Sequence, residues 1–499
     1  MAPKKNQYQH ELPPLDLISD HILVYWKMCW PVTRIWKEIK AKHLDTERYS
    51  IGLTKFREYV KAMGLKGSNA QKHTPELLKP IVEELRVMFP NAGVVEMRNL
   101  LFHEQDISVS RPMLWKYFKQ YEPELIKKRK ARNLKRKQFY SAGVNDMWAM
   151  DQHDKWKYKF GLALHICIDS FTGIMKWLKI WWTNSNPCIV VSYYLEVIRT
   201  TGVTCLVTQS DLGTENVGVA NCHTVLRHLI DPSLEGTIQH RYMADKKNII
   251  PEIGWSQLRR RWTPGFEDLL DYGVNQGWYD SENTLKNLVF RWVFIPWLQA
   301  ELDSYRNHIN LCSKRSDKNK VLPHGVPSHI EKSPESYGAV DFGIEVEARY
   351  INTIAETFAP SDHPVFQLVP PSFAEMIGAF YITLESPTIT RSNVWDIYLA
   401  LLEKFRACED TISSDTMQAW NQNCSLARDS NWGQDDFEKI EGEPLIDVAG
   451  YLGGVNGGAG PAYSDNNEQD STLSEADEEY IHEEPEIQIV FDSDDDAGE

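Results

Sequence analysis

Between Asn145 and Trp262 the apolar residues of this chain change their period, and that change limits the folds open to it. Ahead of this stretch apolar residues recur every three to four positions, as on helix faces. Within it, compact β-branched and aromatic runs predict strands at Met147–Gln152, Phe160–Asp169 and Ile174–Trp182, the last two joined through the turn SFTG. An apolar-faced helix is expected at Pro187–Thr200 and a buried strand at Val203–Gln209. A helix near Val217–Leu229, a short strand near Thr237–Arg241 and a helix from about Asn248 to Trp262 complete the series. Strand-strand-strand-helix-strand-helix-strand-helix is the order of an α/β sheet with helices on its faces.

The flanks read differently. Residues 1–15 form a flexible lead. Residues 16–70 hold three helical patterns, roughly Leu17–Trp26, Thr33–Lys42 and Ser50–Met63, punctuated by Pro31 and Gly64. The third is basic (Lys55, Arg57, Lys61), which suits a helix-turn-helix and equally an ordinary bundle with a solvated basic face. Residues 71–126 repeat the theme: Thr74 caps TPELLKPIVEELRVMF, PNAG turns the chain, and SVSRPMLWKYFKQY closes the trio with Arg111, Lys116 and Lys119. The linker 127–140 carries KKRKARNLKRK, eight basic residues in eleven: Lys127, Lys128, Arg129, Lys130, Arg132, Lys135, Arg136 and Lys137. Such a run serves as a nuclear localisation signal, a phosphate-tracking strip or a solvated linker, and the basic neighbours favour nucleic acid. Beyond the 141–262 core, residues 263–330 are helical and rich in aromatics; Trp278, Trp292 and Trp297 read as core, with a partner interface as the alternative. Residues 331–439 are mostly helical and carry no interpretable motif.

Charge follows the same division. The net charge of −16 conceals a tail, Ile440–Glu499, with 18 acidic residues and no Lys or Arg, while residues 1–140 hold 27 basic against 15 acidic residues. A basic front calls for a polyanion, most simply nucleic acid. A tail of Gly, Ser, Asn and acids buries too little to fold alone, so 440–499 is expected to be disordered, contacting basic partners or the protein's own basic front. Eight scattered cysteines without a CxxC argue against a disulfide scaffold or structural zinc. The longest apolar stretch, Leu288–Leu298, is about half a membrane span and contains Arg291. With no apolar core in MAPKKNQYQHELPP, the expectation is a nuclear or cytoplasmic chain, neither secreted nor membrane-bound.

Three carboxylates fall where a sheet's catalytic edge lies: Asp151 near a strand end in NDMWAMDQHDKW, Asp211 after a buried strand in VTQSDLGTEN, and Glu252 in the first turn of NIIPEIGWSQLRRRW. Alone, each is an ordinary turn or cap residue. Together they are the hard oxygen donors that Mg²⁺ or Mn²⁺ prefers, and two such ions stabilise both oxygens of an in-line displacement at phosphorus. Asp154 and Asp169 read as structural, a turn residue and a strand-end residue. Glu215 would start the wrong helix. Arg259, Arg260 and Arg261 either meet phosphates or form a solvated helix end.

WAMDQHDKW…CIDSFTGIMKWL…VTQSDLGTEN…EIGWSQLR resembles the retroviral-type integrase core, a DDE nucleotidyltransferase of RNase H fold. It looks closest to the transposon-derived integrase-core proteins of fungi and other eukaryotes, whose N-x-x-x-E-x-x-W is matched by Asn248, Glu252 and Trp255. FPNAG and VLPHGVP are similar to that group as well. The resemblance spans about residues 141–330. It implies a mixed five-stranded sheet with flanking helices, preceded by the helix-turn-helix-like modules and followed by the helical region and acidic tail. It also implies a metal-binding catalytic triad of Asp151, Asp211 and Glu252 with two Mg²⁺ or Mn²⁺ ions, DNA as partner, and a homo-oligomer, since joining two DNA ends needs two sites. The sequence departs from the pattern in having Pro251 and Gly254 beside Glu252 and a forty-residue gap between Asp211 and Glu252, longer than in retroviral integrases.

The implied activity is cleavage of a phosphodiester by metal-activated water, followed by attack of the freed 3′-hydroxyl on target DNA. The alternative is a domesticated DNA-binding or regulatory protein that keeps the fold without turnover, since fold alone does not establish activity. A weaker third reading is an RNase-H-like nuclease acting on RNA or hybrids.

Overall fold

The computed structural model describes residues 10–130, 139–211, 216–243, 248–313, 322–408, 414–428 and 454–455. Both helical trios form as the periodicity predicts. The first comprises Leu15–Lys27, Val32–Lys42 and Leu53–Ala62, and closes an apolar cluster of its own around Ile18, Ile22, Ile35, Ile39, Phe56 and Val60. Its basic residues Lys55, Arg57 and Lys61 stay exposed. The second comprises Pro75–Met88, Val94–Gln105 and Arg111–Tyr121, where Thr74 and Ser110 accept from the N–H groups of Leu77 and Met113. This trio joins the large core that also contains the sheet. Arg86 holds the FPNAG turn: it pairs with Glu122 at 2.5 Å and donates to the carbonyls of Phe89, Pro90 and Ala92.

The central sheet has five strands: β1 (Met147–His153), β2 (Ala163–Asp169), β3 (Met175–Trp181), β4 (Val207–Asp211) and β5 (His240–Met243). Their spatial order is β3-β2-β1-β4-β5, with β1–β3 antiparallel and β4 and β5 parallel to β1. The parallel pairs are reached through crossover helices, Pro187–Thr201 and Val217–Ile230. Three strand expectations shift. The run expected at Val203–Gln209 divides: Val203–Thr204 pairs with Ile344–Glu345, and the chain enters the central ladder only where Leu206 and Val207 donate to Asn145 and Asp146. The strand expected at Thr237 begins at His240, because Thr237 closes a turn on Leu234. Phe160 ends a short helix, Lys155–Phe160, inserted between β1 and β2.

The outer edge of β3 is covered by the 28-residue helix Thr284–Leu311. Gln299 and Asn310 each bond both a backbone N–H and a carbonyl of that edge, Ile180 and Leu178 for the first, Met175 twice for the second. Two amide side chains thus do what a sixth strand would, and the edge is closed to other chains. The aromatics of this region are core: Trp297 is buried, Trp278 packs near Trp395 and Trp292 near Tyr381. Helices Ala348–Phe358, Pro371–Thr383 and Val394–Ala407 add to the same core. Pro364–Thr383 is long and apolar enough by composition to count as a membrane-span candidate. Its α-helical part, at 13 residues, is about 20 Å long, short of a bilayer's roughly 30 Å.

Candidate active site

The parallel ladder between β1 and β4 pairs Met147 with Val207, Trp148 with Thr208 and Ala149 with Gln209. Carried two residues further, this register sets Asp151 level with Asp211 on neighbouring strands, about 4.8 Å apart as strands lie. Alternation then sends both carboxylates to one face. The sequence placed each near a strand end; the register brings them to one spot.

Glu252 arrives from the helix Ile249–Arg261, which lies against β1 and β2. Three contacts fix that helix. At its start Asn248, fully buried, donates to the Met150 carbonyl at 2.8 Å and accepts from Gln209 at 3.1 Å, tying the helix to both carboxylate strands. In its middle, a Cβ on Gly254 would lie 2.8 Å from the Cδ1 atoms of Ile166 and Ile168, so a glycine lets the helix sit flush on β2. At its end Asn91 of the FPNAG turn donates to the Arg260 carbonyl at 3.0 Å, one of the terminal carbonyls left without a helical partner. Pro251 falls in the first turn, where its missing N–H is not needed. The described residues between Asp211 and Glu252 include a crossover helix, a turn and β5.

The electrostatics are those of crowded acids. Burial, then the charges of Asp211 and Glu252, push the Asp151 carboxyl up to about 8, although hydrogen bonds from the Gln152 backbone and Trp255 pull it the other way. Trp255 Nε1 donates to Asp151 Oδ2 at 2.9 Å, and its ring stacks on His153 at 5.1 Å. Burial also raises Asp211, whose Oδ1 is buried with no hydrogen-bond partner among the described residues. An acceptor-only oxygen left bare in a buried position is costly unless a cation or donor comes to it, and hard oxygens of this kind suit Mg²⁺ or Mn²⁺. Among the described residues, no three His, Cys, Asp or Glu side chains close around a single point. The site therefore has carboxylates coupled by their charges and a bare oxygen on Asp211.

Trp255, which the sequence offered only as a motif position, and His153 and Gln209, which it did not single out, belong to this site. No local pattern marks a ring 104 residues away, on the helix Ile249–Arg261, as the hydrogen-bond donor to Asp151. Asp169 and Asp154 stand apart from it. Asp169 accepts from the backbone N–H groups of Asn145 and Thr172 and from the Thr172 hydroxyl; Asp154 accepts from Asn184. Arg260 turns back to the Ser256 carbonyl, Arg261 reaches Glu96 at 3.5 Å, and Arg259 is half-buried. Arg132, Lys135, Arg136, Lys137 and Glu215, together with the side chains of Lys127, Lys128, Arg129 and Lys130, lie outside the described residues, as does the acidic tail except Gly454–Val455.

No curated protein matches this chain. Residues 139–329 match the family model of the integrase core domain, a span that contains the whole five-stranded sheet, all three carboxylates and their supporting helix. Residues 139–329 of this chain form an integrase core domain.

Proposed function

We propose that this protein is an integrase- or transposase-like enzyme that cleaves DNA phosphodiesters and transfers the strand in the presence of a divalent metal. The observation that carries the reading is the coupling of the Asp151 and Asp211 carboxyls, on two parallel strands whose register pairs Ala149 with Gln209, with a bare buried oxygen on Asp211. Asp151, Asp211 and Glu252 would hold Mg²⁺ or Mn²⁺, which supplies positive charge to the reacting phosphate oxygens. The chain's own residues prepare that site. Trp255 orients one Asp151 oxygen. Asn248 and Asn91 pin the two ends of the Glu252 helix, so the third carboxylate is held by rigid elements. The exposed basic faces of the two trios, Lys55, Arg57 and Lys61 on one and Arg111, Lys116 and Lys119 on the other, suit DNA on either side of the cut.

One observation favours a second reading, a DNA-binding protein that has given up turnover: the described residues contain no three-ligand cluster. Nicking of supercoiled plasmid in Mn²⁺ and Mg²⁺ separates the two. The comparison is between the intact chain, a chain ending at residue 439, and Asp211→Asn in the truncated form. Metal-dependent nicking that disappears with Asp211→Asn supports the enzyme. DNA binding without nicking in any form supports the retired protein. Undiminished nicking by Asp211→Asn would remove that residue from the site.

A further inference from the structure

The strand that carries Asp151 leads into KWKYKF, the helix Lys155–Phe160, which begins four residues after Asp151. Trp156 and Phe160, one turn apart, are its anchors. Both are buried; Trp156 lies 5.7 Å from the Trp262 ring, and the Tyr279 hydroxyl donates to the Phe160 carbonyl at 2.7 Å. Gly161, in the left-handed region at φ +67°, ends the helix. With the inner face fixed twice, the outer face is fixed too: Lys155, Tyr158 and Lys159 point to solvent. Tyr158 is 83% exposed, more than any other large hydrophobic side chain among the described residues. Packing asks nothing of this ring, yet a rigid turn holds it out between two ammonium groups. Lys159 meets Asp271 at 2.7 Å and Glu267 at 3.9 Å, and these part-exposed pairs are weak enough to be exchanged for phosphate.

We propose that Tyr158, with Lys155 and Lys159, is a subsite for an unpaired or terminal nucleotide of the DNA handled at the neighbouring carboxylates. The phenol ring stacks on the base while the lysines meet the adjoining phosphates. This rests on the DNA-processing reading above. The preference for an unpaired base follows from the geometry of a duplex, whose interior bases have no free face to offer a protruding ring, whereas a frayed or overhanging base does. The subsite therefore defines which form of DNA end is taken, and base identity matters little because every base has a stacking face.

The test uses the intact chain and two DNA probes, a flush-ended duplex and the same duplex with a three-nucleotide unpaired 3′ end containing 2-aminopurine. Tyr158→Ala removes the ring and Tyr158→Phe keeps it; at such exposure neither disturbs the fold. The intact chain and Tyr158→Phe should bind the unpaired end about tenfold more tightly than the flush end. Both should also quench the 2-aminopurine. Tyr158→Ala should lose the preference and the quenching while binding the flush duplex as before. Equal binding of both probes by the intact chain, or a preference that survives Tyr158→Ala, overturns the subsite and leaves the enzymatic reading standing if nicking persists. No binding to either DNA overturns both.

Discussion

A buried and a half-buried carboxylate, Asp169 and Asp151, lie toward opposite ends of the β1–β2 pair, and their surroundings treat them in opposite ways. Asp169 sits across from Trp148, at the end where β1 begins, and Asp151 near the end where β1 stops. Asp169 takes three donors, from Asn145 and twice from Thr172, and Lys176 lies close enough to oppose the rise that burial imposes on its carboxyl. Lys176 is itself held by Glu331 at 2.6 Å and by the Asn145 side chain, which ties the segment after VLPHGVP to this end of the sheet. At the other end Asp151 has one side-chain donor, Trp255, and faces two further carboxylates; Asp211 keeps a bare oxygen. The satisfied end stabilises the fold. The unsatisfied end is where a cation or a ligand has something to gain.

Exchanging charge for amide at each end should therefore have opposite consequences. Asp211→Asn is expected to abolish metal-dependent nicking, a loss of a hundredfold or more, and to leave the denaturant midpoint unchanged or higher. Asp169→Asn places an amide NH₂ among donors and should cost about 3 kcal/mol in denaturant unfolding. Nicking by the surviving folded fraction should then be near normal. If Asp169→Asn leaves stability intact, or Asp211→Asn lowers it by a comparable amount, the contrast between the two ends fails.

Trp255→Phe sharpens the picture at the reactive end. It keeps a ring against His153 but removes the donor that favours the ionised form of Asp151. The acid limb of the pH–rate profile should move to higher pH, with roughly a tenfold loss at neutral pH. A loss without movement of the limb would assign Trp255 to packing alone.

The raised Asp151 has its own signature in metal-free protein. Its folded value of about 8 lies above the ordinary carboxylate range, so the folded chain binds more protons than the unfolded one between about pH 4 and 8. Stability should fall as pH rises through that window, and Asp151→Asn should flatten the slope, leaving the variant more stable at pH 8 by about 1 kcal/mol or more. Parallel pH profiles for the two proteins would show that the coupling is absent. Gly254→Ala should have the smallest effect, about 1 kcal/mol of stability and a modest loss of nicking, because the terminal methyl groups of Ile166 and Ile168 can give way.

Much of the fold was legible beforehand because it is local. Helix periodicity, the caps Thr74 and Ser110, and the apolar runs of β1 to β4 are set by neighbours a few residues apart. The division of Val203–Gln209 was not legible, since which residues entered the ladder depended on Asn145 and Asp146, some sixty residues earlier. The two trios also look alike in sequence. Only packing shows that the first keeps its own apolar cluster, while the second shares the sheet's core and ends on the Glu252 helix.

The candidate site divides in the same way. The sequence by itself determined the α/β class, the resemblance to an integrase core, and three carboxylates at the ends of their elements, because strand and helix termini are read from local chemistry. Tertiary structure alone decided that Asp151 and Asp211 stand level, that Trp255 bonds one of them, that Asn248 and Asn91 secure the Glu252 helix, and that Asp169 is spent on stability. Register, burial and the direction of a hydrogen bond depend on residues tens to hundreds of positions apart. No local pattern encodes them, and they exist only once the strands have paired.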